Sequence, residues 1–228
     1  ILRDKRTGKY LVEDYTVHSI PSAREWLRLK NHQPKVAVAT RAAVYANPDF
    51  NAGSKKAPSQ CASSHANRSA REILMKTFKN DCITALPATA DEANTISQHV
   101  PGMQKFQEER ASEELLLKET SPKILHIATH GFFVPDPQIT NPLAKSGLIL
   151  SGANTSLAKG SDKGIVTGLK LATMDLSATQ LVVLSACETG VGDIQHGEGV
   201  AGLNQAFIRA GAAGIVMSLW RVPDKPTA

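Results

Sequence analysis

Residues 181–220 read LVVLSACETGVGDIQHGEGVAGLNQAFIRAGAAGIVMSLW, and the order of patterns within them decides the fold. LVVLSA is a short, continuously apolar run, the signature of a strand covered on both faces. EGVAGLNQAFIRAG carries apolar residues at helical spacing and closes at Gly211, a residue suited to the left-handed turn that stops a helix. GIVMSLW is another apolar strand. Strand, helix, strand is a crossover unit, which joins parallel neighbours right-handedly. Upstream, KILHIAT at 123–129 supplies a further buried strand. The expectation is an α/β fold, a mostly parallel sheet with helices on both faces.

Outward from this block the signals are more local. RTGKYLVEDYTVHSI alternates apolar and polar residues after a Thr-Gly turn, as a strand or half-hairpin does, and a chain that starts inside such a pattern reads as a fragment of something longer. PSAREWLRLKN predicts a helix with Trp26, Leu27 and Leu29 on its apolar face. KVAVATRAAV predicts a strand ending near the NPDF turn. Residues 51–80 open with NAGSKKAPSQCASSHANRSA, which has no apolar period and reads as a flexible insertion in an otherwise single domain. Thr89 and Glu92 stand in capping-box relation at the head of a helix in ATADEANTISQHV. EERASEELLLKE predicts another helix, ended by Ser121-Pro122. Residues 134–164 read as loop apart from GLILS, and GIVTGLKLATM as a short helix or turn.

Composition removes several classes of function. With 228 residues and 42% hydrophobic content the chain can bury one sizeable core. No run nears the roughly 18 to 20 apolar residues of a bilayer span, and ILRDKRTGKY lacks the apolar stretch of a signal peptide, so the expectation is a cytoplasmic protein with no membrane partner. Cys61, Cys82 and Cys187 are an odd, sparse set that fits free thiols in a reducing compartment. The net charge of +5 leans on residues 1–35, with eight Lys/Arg against four Asp/Glu, but aromatic residues are 5% and do not interleave with the basic ones. Direct nucleic-acid binding is not expected.

The chemistry concentrates at two strand ends, where HIATHG finishes at His130-Gly131 and LVVLSACETG at Cys187. In a parallel sheet ligands bind beyond the carboxyl ends of the strands, and both reactive groups fall there. A thiol with its ordinary pKa of about 8.5 is a weak nucleophile at neutral pH unless an imidazole or local dipoles activate it. The backbone amides of Gly131 and Cys187 are the expected oxyanion donors, and Gly131 and Gly190 leave room for a substrate backbone. Rival readings are weaker. His126 and His130 on a strand stand about 13 Å apart, too far for one metal ion, and His126 between Leu125 and Ile127 reads as a core histidine. Cys61, His65 and Cys82 lack a paired ligand motif, so no metal is expected. TGVGDIQHGEG has Gln195 where a dinucleotide loop needs its third glycine, and no P-loop occurs, so no cofactor is expected.

HIATHGFF, NPLAKSGLIL, GIVTGLKLATMDL and LVVLSACETGVGDIQHGEGVAGLNQAFIRAGAAGIVMSLWRVPDKPTA together resemble the CHAT domain, a caspase-like module often attached to tetratricopeptide repeats in bacteria. HSIPSAREWL, NPDF and LPATADEA add to the likeness. The resemblance implies a caspase-hemoglobinase fold and a cysteine endopeptidase whose His130 and Cys187 form the dyad, acting on a protein or peptide substrate under control of flanking domains. It leaves a second reading, a signalling or scaffold module with an idle dyad. No third catalytic member is forced: a backbone carbonyl, Asp136, Asp175 and Asp193 are all open as the group that orients the imidazole. The related separases carry a similar LWxVxD stretch, which here implies substrate binding by Trp220 and Asp224, the carboxylate facing a basic side chain.

Overall fold

The structure, a computed structural model, describes residues 7–10, 23–31, 41–54, 82–134, 136–186 and 197–217. The chain divides into two compact units, Ile1–Pro34 and Lys35–Ala228. In the first, the expected amphipathic helix is α1 (Ala23–Asn31), where the Lys30 ammonium lies 4.9 Å from the centre of the Trp26 ring. Most of the alternating segment before it lies outside the described residues, as do residues 55–80 of the insertion expected at 51–80; residues 51–54 form a turn in which Asn51 is hydrogen-bonded, which corrects that expectation at its start.

The second unit is built on a sheet of β1 (Ala42–Pro48), β2 (Met103–Glu108), β3 (Ile124–Ala128), β7 (Leu181–Ser185) and β8 (Ile215–Met217), in the order β2-β1-β3-β7-β8. All neighbours run parallel. This is the doubly covered α/β sheet the apolar runs predict. Register sorts its side chains by alternation: Ala43, Tyr45, Leu125, Ile127, Val182 and Leu184 join one large apolar core, together with Leu203, Ala206 and Phe207 of helix α7 (Gly197–Ala210). The opposite face carries Val44, Ala46, His126, Ala128, Val183 and Ser185, and α2 (Ala88–His99) packs there through Ala93. Small and polar residues therefore lie beneath α2, and large apolar ones beneath α7. Gly211, at φ +105, closes α7 as expected.

Between β3 and β7 the chain makes a second, antiparallel sheet in the order β4-β5-β6, from β4 (Gly131–Phe133), β5 (Ser146–Ile149) and β6 (Ile165–Thr167). Short helices punctuate it: α4 (Pro142–Lys145) capped by Asn141, α5 (Ala153–Ala158), and α6 (Gly168–Leu171) capped by Thr167. Within 134–164 the expected GLILS strand forms as β5, and the loop expected around it is corrected by α4 and α5. The partners of β5 flank that stretch and are three residues each, too short to show a period. α7 docks closely on this sheet because Gly202 has no side chain: a Cβ there would stand 2.8 Å from the Pro142 carbonyl oxygen.

Four other expectations change. Of KVAVATRAAV, residues 35–40 lie outside the described residues; β1 runs from Ala42 through Pro48, past the end of that run, because burial between β2 and β3 selects AAVYANP. EERASEELLLKE contains only the five-residue α3 (Glu113–Leu117), its first amides met by the Ser112 hydroxyl. The capping box at α2 does not form: Thr89 donates to the Leu86 carbonyl at 2.7 Å and accepts the Asn47 amide at 2.8 Å, while Glu92 turns into the core. Cys82 is disulfide-bonded to a residue outside the described set, which corrects the reading of three free thiols.

The amino-terminal end of the sheet is held by a polar clamp. Glu119, just before β3, accepts from the Arg41 guanidinium and from the Tyr45 hydroxyl at 2.9 Å, and the Tyr45 ring stacks on Phe106 at 4.5 Å. Burial, with the Glu119 charge added to it, pushes the Tyr45 phenol far above its ordinary range.

Candidate active site

β3 and β7 are direct parallel neighbours, with Ala128 opposite Ser185 in the register that runs from Ile124 opposite Leu181. His130 follows Ala128 by two residues, and along the chain Cys187 follows Ser185 by two. The two chains therefore leave the same edge of the sheet side by side, where strand spacing is about 4.8 Å. Cys187 itself lies outside the described residues, as do Asp193, Trp220 and Asp224.

His130 is 5% exposed, and its surroundings are well defined. Its backbone turns from the large sheet into the small one: the carbonyl accepts the Ile149 amide at 2.9 Å, and the neighbouring Thr129 hydroxyl donates to the Ile149 carbonyl. Gly131 then opens β4 opposite Leu148. The imidazole Nε2 lies 2.8 Å from the carbonyl oxygen of Thr84. A carbonyl only accepts, so Nε2 carries the proton and, in the neutral ring, Nδ1 holds the lone pair. One ring face meets Phe50, centre to centre 5.4 Å and tilted by 32°. Phe50 belongs to an apolar cluster with Ile83, Phe132, Val134 and Ile149 that keeps water from that side.

Of the open alternatives among the described residues, the backbone carbonyl is the one in place. Asp136 accepts the Gln138 amide at 2.8 Å, and Asp175 accepts the Ser177 amide at 3.1 Å while its carbonyl takes Ser121, beside the amino-terminal start of β7. Each serves a local turn. Thr84 carried no sequence signal, because a carbonyl is common to every residue and only the tertiary path aims it.

Four residues before His130, His126 is also 5% exposed and donates to Glu92 Oε1 through Nε2 at 2.8 Å. The second Glu92 oxygen accepts the Ser185 hydroxyl at 3.1 Å. The reading of His126 as a core residue agrees with this, and the Glu92–Ser185 link was legible only as a helix-cap signal.

The chain matches the family model of the CHAT domain over residues 1–228, its whole length. The chain is a CHAT domain. Its caspase-like α/β architecture is the parallel five-stranded sheet described above. No curated protein matches it. Among the described residues of this CHAT domain no three His, Cys, Asp or Glu side chains gather as a metal ion would need, and no described helix is long and apolar enough to cross a membrane.

Proposed function

We propose that this CHAT domain is a cysteine endopeptidase with a His130–Cys187 dyad. The observation that supports it is the register of β3 on β7, which starts both reactive residues from matched points on one sheet edge. In this reading Nδ1 of His130 takes the Cys187 thiol proton, since Nε2 is committed to the Thr84 carbonyl. The thiolate attacks the scissile carbonyl, and the amides of Gly131 and Cys187 hold the oxyanion. The imidazolium then protonates the departing amine, and water, deprotonated by the same imidazole, releases the acyl group from sulfur. Trp220 and Asp224 bind the substrate, the Asp224 carboxylate selecting a basic side chain before the cut bond, Arg above Lys because a guanidinium bonds a carboxylate with two parallel hydrogen bonds.

The module belongs, on the same reading, to a larger bacterial cytoplasmic protein whose tetratricopeptide repeats or other flanking domains regulate it. Cleavage sites mapped by mass spectrometry on a denatured-protein library test the proposal. Cuts after Arg or Lys that vanish in Cys187→Ala support it, and loss of that preference in Asp224→Ala supports the pocket. Cuts that persist in Cys187→Ala contradict the peptidase reading and favour the idle interaction module; cuts after Asp contradict the pocket.

A further inference from the structure

The imidazole of His130 has two described neighbours, the Thr84 carbonyl and the Phe50 ring, and one buried residue grips the backbone next to both. Asn154, on α5, is 1% exposed. Its side-chain Oδ1 accepts the Ile83 amide at 2.9 Å, and its Nδ2 donates to the Ile83 carbonyl at 3.0 Å. The side chain thus pairs with Ile83 as a neighbouring strand would, fixing both peptide planes of the residue before Thr84. The other Nδ2 hydrogen reaches Asn51 Oδ1 at 3.0 Å, and the Asn154 backbone amide donates to the Phe50 carbonyl at 2.9 Å. Thr155 adds a hydroxyl bond to the Asn51 carbonyl at 2.9 Å.

This matters because the segments concerned have no strand of their own. Residues 49–51 follow β1 and residues 82–84 precede α2, and neither belongs to a ladder. A carbonyl on an unpaired segment is free to rotate with its peptide plane, and a small rotation removes the alignment on which a hydrogen bond depends. Asn154 supplies the missing ladder. Every polar atom of its amide is used, at a site where an unmet group would be costly, so the arrangement is all or nothing.

We infer that Asn154 is a positioning residue for His130: it sets the tautomer and tilt of the imidazole by holding Ile83–Thr84 on one side and Phe50–Asn51 on the other. The inference rests on the dyad reading for its consequence in catalysis, but the geometry it asserts is independent of that reading. The change that isolates it is Asn154→Leu, which keeps the branched outline at a somewhat larger volume and removes the three side-chain hydrogen bonds. Asn51→Ala, which removes one of them at a half-buried position, is the milder variant should Asn154→Leu fail to fold.

The measurement is the ring-nitrogen spectrum of ¹⁵N-histidine-labelled full chain, with His130 assigned by comparison with His130→Ala, alongside steady-state turnover of a peptide substrate. The wild type is expected to show the Nε2–H tautomer alone. Asn154→Leu is expected to show both tautomers in exchange, with kcat lower by about tenfold or more and KM within about twofold, since misorientation spares binding. Asn51→Ala is expected to show a weaker form of the same change. A pure Nε2–H signature retained in every variant that folds overturns the inference. Tautomer exchange in the variants of a wild type that cleaves nothing upholds the positioning role and overturns the peptidase instead.

Discussion

His126 and His130 are equally buried, sit four residues apart, and both lean on the segment that forms or enters α2, yet their partners differ in kind. His126 meets a side-chain carboxylate that is itself bridged to Ser185 on the next strand. The three polar groups close on one another inside the sheet–helix interface. His130 meets a backbone carbonyl, past the last residue of β3, where the chain steps off the sheet. Burial therefore does not separate a structural histidine from one proposed as reactive. The distinction lies in partner and place: a carboxylate bridged to a hydroxyl inside the sheet–helix interface for His126, a backbone carbonyl at the carboxyl end of β3 for His130.

The largest effect expected from this contrast is on turnover. His130→Ala should lower peptide cleavage by about a thousandfold, the range general acid–base catalysis contributes, at a stability cost of about 1–3 kcal/mol for the Thr84 carbonyl left unmet. A variant that stays active would place His130 in the same structural class as His126. The mirror experiment is His126→Ala, which leaves the Glu92 carboxylate buried with only Ser185 beside it. A loss of about 3 kcal/mol in urea unfolding is expected, with kcat of the folded fraction within a few-fold of wild type. If turnover collapses and stability does not, the two histidines have been assigned the wrong way round. Smaller still, Ser185→Ala removes one hydrogen bond to that carboxylate and should cost about 1.5 kcal/mol, read by the same unfolding curve. No change would mean that Glu92 is satisfied by His126 alone.

The asymmetry also explains what could be read from the residues. β3, β7, β8 and α7 were legible because continuous apolar runs and a closing Gly211 carry their own signals. So was His130 as a strand-end group, since the end of that run is visible, whereas Cys187 lies outside the described residues. β1 was legible only in part: its AAV ends the expected run, but YANP carries no strand signal of its own and owes its state to burial between two neighbours. The antiparallel sheet was missed because two of its strands are three residues long and depend on contacts such as Phe132 against Gly147. Glu92 was misread for a physical reason as well: a carboxylate three residues after Thr89 suits a helix cap, but the buried imidazole and hydroxyl offered it two stronger partners. Thr84 and Asn154 act through backbone groups far apart in sequence, and no local pattern announces that.

We propose that the carboxyl end of the sheet turns an ordinary thiol into a nucleophile by pairing it with His130. The most direct test is the rate of iodoacetamide alkylation of the reduced protein at neutral pH, followed cysteine by cysteine by peptide mass spectrometry. Cys187 should react at least about tenfold faster than Cys61 or Cys82, and His130→Ala should bring it down to their rate. Equal rates at all three cysteines, or a fast Cys187 that is indifferent to His130→Ala, would contradict the claim.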